Sequence, residues 1–360
     1  MDKRLKIQSE ISQSIVDNRF IGIIDVSARL GKTRSVIDAL NTVSREIEVL
    51  ILAPKLPILE SWKQEIVKWN LRSNIKLTYS WSNSLKKDKK FYDLVICDEI
   101  HDYNLNVLQF IKIKQLQGSR VFGMTGTLTD DDYSIIYKIL KLKKIYEYSF
   151  HQAIIDGIIA DYNITCIGCE LDNELKYIES GSKDKPFLQT EYQAYQYWNT
   201  RYNDAIENND FHLIKNIINK RSNIIYNSIS KLKKTQKIIQ QFDRCLIFTA
   251  RTNIADQIGD SAFHSKSNKN VLDKFMKEEY NKLSVISTVS MGITFPNLKT
   301  IIFNQLKSSE SLCIQQSMRS MSLEDNRIAD INIVYLKDTQ DEFWMNNAIS
   351  EFDKNKIKYI

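Results

Sequence analysis

The residues best suited to chemistry near the amino terminus are Gly31-Lys32-Thr33, which stand between an apolar run and a helical pattern. Backbone N–H groups at a helix N-terminus favour anions such as phosphate. The Lys32 ammonium suits the β- and γ-phosphates of a nucleotide, and the Thr33 hydroxyl suits a Mg²⁺ ligand position. Val26 stands where the full phosphate-loop pattern has its first glycine, so a chance turn is the alternative. The predicted phosphate-binding segment comprises Ser27, Ala28, Arg29, Leu30, Gly31, Lys32 and Thr33.

A pair of adjacent carboxylates, Asp98 and Glu99, follows another short apolar run. Hydrolysis of Mg·ATP uses one carboxylate to hold the cation through its water shell and one to orient or deprotonate the attacking water. We assign the first role to Asp98 and the second to Glu99. Such a pair is common at strand ends and alone is weak evidence for an ATP site. It becomes strong evidence here because a Gly-Lys-Thr loop precedes it in the chain. Together the two motifs predict ATP and Mg²⁺ as cofactors.

The elements that must position these residues are visible as short apolar runs, each followed by a turn and an amphipathic segment. The runs lie at residues 21–26, 49–53, 75–79, 94–97 and 121–124. Strands that alternate with helices predict crossover connections and a parallel sheet, in which ligands bind beyond the carboxyl ends of the strands. The chemically distinctive residues all follow such runs. We therefore expect them along one edge of one sheet.

The pattern changes between about residues 171 and 241, where apolar runs disappear and charged and aromatic residues recur at helical spacing. This stretch predicts a helical insertion or linker, and its aromatic residues between Tyr192 and Tyr202 are interpreted as packing rather than base-stacking groups. Strand-like runs resume at 245–248, 283–286, 300–303 and 331–335. The sequence thus predicts an α/β protein of two parallel-sheet domains, residues 1–158 and 159–360, the second of which contains the insertion.

With these elements in place, the sequence resembles the superfamily 2 helicases over nearly all of its length. Asp98-Glu99-Ile100-His101 is similar to the D-E-x-H box of that family, and Gln315-Gln-Ser-Met-Arg319 to the start of its arginine-finger motif. Residues 52–55, with Trp62 after them, are similar to the motif that grips one nucleic-acid strand. Shorter matches follow in the family's order at 124–127, 156–162, 246–249 and 291–296. The resemblance implies two RecA-like domains with ATP in the cleft between them, and an ATPase that moves on or unwinds nucleic acid.

The resemblance also implies roles for individual residues. ATP binding is implied for Gln8, which is similar to an adenine-sensing glutamine, and for Gly292. Catalytic roles fall to Gln315 and Arg319 beside Lys32, Asp98 and Glu99. Residues that couple hydrolysis to domain movement are His101, Thr125, Gly126 and Thr127. Residues that contact the nucleic acid are Pro54, Lys55, Thr249, Met291 and Thr294.

Three positions depart from the family pattern. Arg29 stands where a glycine normally lets phosphate approach closely, and Thr294 stands where motif V normally has an aspartate. The second arginine of the finger motif is replaced by Ser322. That arginine stabilises charge on the transferring phosphoryl group, a contribution of about 10³–10⁵ in rate in GTPases. Arg319 is thus the best remaining finger, with Arg327 a weaker substitute, and a slow or partner-dependent ATPase is one expectation.

The composition excludes some other classes of protein. The formal net charge is +6, which suits a polyanionic partner without requiring one. The sequence contains no apolar run long enough for a transmembrane helix or a signal peptide, so we expect a cytoplasmic monomer. The five cysteines are an odd number, and Cys166 and Cys169 lack the second ligand pair of a structural zinc site. The abundance of isoleucine, lysine and asparagine is typical of an AT-rich genome, such as that of a virus or phage.

Three classes of function remain open from the sequence. The first is an ATPase that translocates on or unwinds nucleic acid, with DNA favoured over RNA, or that remodels duplexes without separating strands. The second is a degenerate module that holds ATP or nucleic acid with little turnover, suggested by Arg29 and Ser322. The third is a P-loop kinase or metabolic NTPase, which would not need a second domain carrying Gly292 and Arg319. Little surface beyond the insertion is left for substrate choice, so a protein partner is one expected source of specificity.

Overall fold

The first half of the chain is organised around a sheet of six parallel strands. In the computed structural model these strands are β1 (Gly22–Val26), β2 (Ile47–Ala53), β3 (Ile75–Trp81), β4 (Leu94–Asp98), β5 (Arg120–Thr125) and β6 (Lys144–Tyr148). Their order in the sheet is β3-β2-β4-β5-β1-β6. The helices of this half are α1 (Lys3–Asp17), α2 (Lys32–Leu40), α3 (Leu56–Lys68), α4 (Leu105–Leu116), α5 (Asp130–Leu140) and α6 (Phe150–Ile155).

The structure describes residues 3–27, 30–54, 56–81, 90–126, 128–158, 160–182, 184–268, 270–286, 295, 297–306, 328–350 and 352–360. The chain divides into two units, Met1–Ile159 and Ala160–Ile360.

The central strands of this sheet are buried on both faces, which explains why they are continuous apolar runs rather than alternating ones. Every residue of β4 is buried, and β2 has one half-buried residue in seven. The apolar core continues from these strands into α4 through Val107, Leu108 and Ile111. Because all the strands are parallel, the carboxyl ends of β1, β2, β4 and β5 meet at one edge of the sheet.

The second unit is built on a sheet of seven strands. They are β7 (Tyr162–Cys169), β10 (Cys245–Thr249), β11 (Ser261–Phe263), β12 (Lys282–Ile286), β13 (Thr300–Phe303), β14 (Ala329–Leu336) and β15 (Ile357–Tyr359). All pair in parallel, in the order β11-β12-β10-β13-β14-β7-β15. Its helices are α7 (Glu191–Glu207), α8 (Phe211–Tyr226), α9 (Ile229–Ile239), α10 (Thr252–Ala255), α11 (Asn270–Met276) and α12 (Gln340–Ala348). The prediction of two parallel-sheet α/β domains is confirmed.

Residues 171–241 are helical only in part. An antiparallel hairpin of β8 (Ile178–Ser182) and β9 (Lys185–Gln189) precedes the three helices α7, α8 and α9. The sequence did not predict this hairpin, because its strands pair only with each other and are mostly exposed, so no apolar run marks them.

The base of the hairpin is fixed by Glu191, the fully buried first residue of α7. Its carboxylate accepts hydrogen bonds from the Tyr177 hydroxyl before the hairpin and from the backbone N–H of Asp172. It also accepts from the Ser228 hydroxyl and from the backbone N–H groups of Ile229 and Ser230 at the start of α9. One carboxylate therefore ties the hairpin to the α8–α9 junction, and its hydrogen bonds satisfy the charge that burial would otherwise penalise.

The two cysteines of the C-x-x-C sequence, Cys166 and Cys169, lie on β7. Cys166 is buried, and the Cys169 thiol donates to the Tyr335 carbonyl oxygen at 3.3 Å. Within the described ranges, no group of three or more His, Cys, Asp or Glu side chains is placed to hold a metal ion. Among the same residues, no helix combines the length and the apolar character that a bilayer span requires.

Candidate nucleotide site

The N-terminus of α2 follows directly from the turn after β1, at the edge of the first sheet. Gly31 caps this helix with φ +81°, a left-handed conformation in which glycine carries no penalty. A Cβ at this position would lie 2.3 Å from Gln8 Nε2, so the approach of the glutamine also requires glycine. The helix runs for nine residues and directs its first N–H groups toward the sheet edge. The turn is therefore shaped to bind an anion.

Lys32 connects the ends of two strands. Its Nζ donates to the Val26 carbonyl oxygen at 3.1 Å and lies 4.0 Å from Glu99 Oε1. The side chain is 11% exposed, so the ammonium is held in a partly desolvated position at the sheet edge. In that position its charge faces the end of β4, where the paired carboxylates begin. Thr33, the next residue, lies half-buried in the first turn of the same helix.

Asp98 ends β4 and is 5% exposed. Its Oδ2 accepts a hydrogen bond from Trp62 Nε1 at 2.7 Å, and its Oδ1 accepts one from the backbone N–H of Glu99 at 2.9 Å. Burial and, after it, the charge of Glu99 raise the pKa of the Asp98 carboxyl to about 7, against the opposing effects of the Lys32 charge and the hydrogen bond from Trp62. A bound divalent cation would favour the ionised form of the Asp98 carboxyl, so Asp98 is suited to act as a ligand of Mg²⁺ or of its water shell.

Glu99 adopts a left-handed backbone conformation, with φ 47° and ψ 53°, and leads into a 3₁₀ turn, Ile100–Asp102. A non-glycine residue in this conformation is uncommon and is often found at functional sites. Its Oε1 faces Lys32, and its Oε2 is buried without a hydrogen-bond partner in the described part of the chain. The carboxylate thus retains an acceptor for a water molecule.

His101 links β4 to β5. Its Nδ1 lies 2.7 Å from the hydroxyl of the fully buried Thr125, and 3.5 Å from Glu99 Oε2. Thr125 is the last residue of β5, and Gly126 follows it. The turn that carries Glu99 is therefore hydrogen-bonded to the end of the neighbouring strand, in the place where the sequence predicted coupling residues.

Gln8 projects from α1 onto the phosphate-binding turn. Its Nε2 donates to the Leu30 carbonyl oxygen at 2.9 Å, and the side chain is 5% exposed. Gln8 Oε1 and Ser27 Oγ are buried, and neither has a hydrogen-bond partner among the described residues. Buried polar atoms normally find a partner, and an unsatisfied one marks a place for a ligand or water. Both atoms border the turn predicted to hold a nucleotide.

Among the described residues of the first unit, those predicted to bind ATP, to act on it and to couple its hydrolysis to movement lie near one edge of the sheet. Two of the residues predicted to contact nucleic acid are described. Pro54 follows β2 and is half-buried. Thr249 ends β10 in the second unit, is buried, and donates a hydrogen bond from Oγ1 to the Arg251 carbonyl oxygen. The remaining predicted site residues lie outside the described residues: Ala28, Arg29, Lys55, Thr127, Met291, Gly292, Thr294, Gln315 and Arg319.

Two aromatic residues have a place in this site that sequence reasoning did not assign. Trp62, predicted only as part of the strand-gripping motif, is buried with its indole N–H on Asp98. The Tyr103 hydroxyl donates at 2.7 Å to the carbonyl oxygen of Leu52, near the end of β2. Both contacts depend on β2 lying beside β4 in the sheet, which only the strand order reveals.

Comparison with known proteins supports the architecture. Residues 211–323 match the model of the helicase conserved C-terminal domain, beginning at the first residue of α8. Comparison with curated protein sequences gave no significant match.

Solved structures of similar fold cover the whole chain. The Pyrococcus furiosus Hef helicase domain has a TM-score of 0.54 and 14% identity, over 95% of this chain and 96% of its own. The type ISP restriction-modification enzyme LlaBIII, bound to DNA, has a TM-score of 0.63 and 14% identity, over 100% of this chain and 31% of its own. Dbp5 of S. cerevisiae, bound to RNA and ADP BeF3, has a TM-score of 0.60 and 12% identity, over 99% of this chain and 89% of its own.

Fold and family match together define the class. The chain has the fold of the two-RecA-domain proteins of the superfamily 2 helicase type. Residues 211–323 are the part of the chain that matches the helicase conserved C-terminal domain.

Proposed function

We propose that the protein is an ATP-dependent nucleic-acid helicase or translocase, which couples ATP hydrolysis to movement on or unwinding of DNA. The observation that carries this proposal is the convergence of Lys32, Asp98 and Glu99 at one sheet edge. Lys32 Nζ and Glu99 Oε1 are 4.0 Å apart there, and Asp98 is buried beside them. The helicase C-terminal domain in the same chain supports a motor over a metabolic nucleotide-binding enzyme.

The residues present fit Mg·ATP. The N–H groups at the start of α2 and the Lys32 ammonium are suited to hold phosphate oxygens. The Thr33 hydroxyl and the Asp98 carboxylate offer the oxygen ligands that Mg²⁺ prefers. When bound, Mg·ATP supplies the phosphoanhydride bond whose hydrolysis drives movement. Gln8 Oε1, buried and unpartnered among the described residues, offers an acceptor to the exocyclic amine of an adenine.

Glu99 acts on the attacking water in this scheme. Its Oε2 has no hydrogen-bond partner in the described structure, so it is available to orient the water and to accept its proton. Lys32 lies near the other carboxylate oxygen and keeps Glu99 oriented while it stabilises phosphate charge. His101 then transmits the state of Glu99 to Thr125 through their close contacts.

DNA is the favoured polymer on sequence grounds, with RNA as the alternative. Among the similar structures, LlaBIII is bound to DNA and Dbp5 to RNA, so both polymers belong in the test. The decisive experiment measures the ATPase rate without nucleic acid and with single-stranded, duplex and forked DNA and with RNA. Stimulation by DNA above RNA is expected. A rate that no nucleic acid changes would overturn the motor proposal.

The second candidate function is a degenerate module that holds ATP or nucleic acid with little turnover. The observations that favour it are Arg29 in the phosphate turn and Ser322 in the finger motif. In that case the protein would bind ATP and nucleic acid, but its ATPase rate would stay low with every nucleic acid tested. The two candidates are therefore separated by rate, and not by binding.

A further inference from the structure

A cavity of about 570 Å³ lies inside the second unit, between the β8–β9 hairpin and the helices α7 and α8. Its size falls within the range of small-molecule sites, which is roughly 300–1,000 Å³. The residues that border it include Phe187, Gln189, Tyr197, Trp198, Lys220 and Asn223. The hairpin and α7 precede the segment that matches the helicase C-terminal domain, so this cavity is built largely from residues outside that match.

Aromatic rings form one side of the cavity. Tyr197 and Trp198 of α7 pack edge to face, with ring centroids 5.0 Å apart and an interplanar angle of 78°. Tyr197 is 47% exposed and Phe187 of β9 is 54% exposed, so both rings present open surface. The sequence interpretation of these aromatics as packing groups fits Tyr195, which is 1% exposed, but Tyr197 is not buried in a core.

The Phe187 ring is held in place by the hairpin itself. Phe187 pairs with Ser180 across the two strands, next to Gly181, whose φ is +93°. A Cβ on Gly181 would come within 2.4 Å of the Lys185 carbonyl oxygen and 2.9 Å of Phe187 Cδ1. Glycine therefore allows the ring to lie directly against the β8 backbone, and the aromatic wall is formed before any ligand arrives.

Polar side chains also line the cavity. Lys220 and Asn223 of α8 border it, with Asn227 at the C-terminal end of that helix, and Lys220 Nζ lies 6.0 Å from the centroid of the Trp198 ring. The side-chain amides of Asn223 and Gln189 each carry two N–H donors. Their oxygens accept hydrogen bonds from Arg251 and from the Ser180 hydroxyl, respectively, which fixes the orientation of both amides. Glu179 also borders the cavity, but alternation along β8 places its side chain on the other face of the hairpin, with Leu188.

A planar ligand with polar edges satisfies the aromatic and the polar lining of this cavity at once. An aliphatic side chain would cover the rings and leave the amides of Asn223 and Gln189 unpaired. A nucleobase stacks on aromatic rings and accepts hydrogen bonds at its edges, and one lysine nearby suits the attached phosphate. We propose that this cavity binds an unpaired base of single-stranded nucleic acid. The inference rests on the proposed nucleic-acid function and adds a second point of contact to it.

The test compares Tyr197→Ala with Tyr192→Ala. Tyr192 lies on the same helix and is 46% exposed, but it does not border the cavity, so it is a matched control. Binding is measured to a single-stranded oligonucleotide and to an abasic strand of the same length. Stacking predicts that Tyr197→Ala lowers the affinity for the strand with bases by about 5-fold or more and leaves the affinity for the abasic strand unchanged. Tyr197→Phe should bind like the wild type.

The outcomes separate this inference from the proposed function. If the wild type binds both strands and Tyr197→Ala matches Tyr192→Ala on each, the cavity does not take a base, and the motor proposal stands. A loss that is equally large on the abasic strand would also overturn base binding, because no base is then present to stack. If the wild type binds no nucleic acid while it still hydrolyses ATP, the proposed function is overturned, and the base-binding inference that rests on it is overturned too. Thermal unfolding, expected at the same temperature in all variants, verifies that each is folded.

Discussion

Trp62 donates a hydrogen bond from its indole Nε1 to Asp98 Oδ2 across 2.7 Å, and both side chains are buried. The indole is a donor without acceptor capacity, so it favours the ionised form of the carboxyl. It also leaves Oδ2 with a fixed orientation at the carboxyl end of β4. Trp62 therefore acts on the candidate Mg²⁺ ligand, in addition to packing α3 against the sheet.

We predict that Trp62→Phe weakens the response to Mg²⁺ more than it weakens the fold. The substitution keeps most of the apolar volume but removes a hydrogen bond to a charged group, which contributes about 1.5–3 kcal/mol. The Mg²⁺ concentration that gives half-maximal ATPase activity should rise. Trp69→Phe is the control, because Trp69 lies just after the same helix and donates to Glu65 instead. Equal Mg²⁺ dependence in the two variants would remove the role given to the indole.

Lys32→Ala and Glu99→Gln should both abolish hydrolysis, in different ways. Loss of Lys32 removes a charge-assisted contact to phosphate and should weaken nucleotide binding by about 10-fold or more. Glu99→Gln leaves phosphate contacts in place, so ATP should bind and remain uncleaved. Nucleotide titration and phosphate release measure the two effects, with the exposed Glu60→Gln as control. Near-normal turnover in Glu99→Gln would show that another group activates the water.

Stability of the protein without Mg²⁺ and nucleotide should depend on pH through Asp98. The pKa of its carboxyl is about 7 in the folded protein, against an ordinary value of 3.8. Because the folded state binds the proton more tightly than the unfolded state, the free energy of unfolding should fall as the pH rises from about 4 through about 7. Asp98→Asn lacks this titration and should show a flatter profile. Chemical unfolding of the two proteins across this range makes the comparison, and coincident profiles would mean an ordinary pKa.

The affinity for nucleic acid should fall steeply with salt. The contacts proposed for Lys55 and the other predicted residues are to phosphates, and the release of counterions makes such binding salt-dependent. For 6–10 phosphate contacts the expected loss is about 10³–10⁵ between 50 and 200 mM salt. Sequence preference should be slight, because phosphate contacts carry no base information. Binding that is flat over this range would contradict an electrostatic track.

Arg319→Lys should lose most of the turnover while the affinity for ATP changes little. With Ser322 in the place of the second arginine, Arg319 is the motif residue left to stabilise charge on the transferring phosphoryl group. Lysine keeps the charge but not the planar fork that holds two oxygens. The complementary change, Ser322→Arg, should raise the rate by restoring the missing finger. Steady-state ATPase assays of both variants test this pair. Normal hydrolysis by Arg319→Lys together with no effect of Ser322→Arg would favour the binding module.

The sequence predicted the central strands of both sheets, because a strand buried on both faces must be apolar throughout. β2 and β4 are examples, and the motifs that follow such strands lie where the parallel sheet requires. The edge strands were harder to predict. β6 is half-buried or exposed along its length, and β15 has three residues with two exposed, so neither carries a strong apolar signal.

The parts of the site that the sequence did not predict depend on distances across the fold. Trp62 and Asp98 are far apart in the chain, and their contact follows from the order of β2 and β4 in the sheet. The left-handed backbone of Glu99 is likewise a local conformation that its residue type does not reveal. Residue types therefore predicted the chemistry, whereas the orientation of each group required the packed structure.

Glu191 lies at the boundary between the β8–β9 hairpin, whose sequence can vary, and the start of α9, whose position depends on the Glu191 carboxylate. Its carboxylate joins the Tyr177 hydroxyl to the start of α9, whereas the hairpin strands beyond it pair only with each other. Substitutions on the hairpin can therefore alter the cavity wall without disturbing either sheet, provided that Glu191 is kept. A variant that exchanges the hairpin strands and keeps Glu191 would therefore change the cavity wall independently of the two sheets.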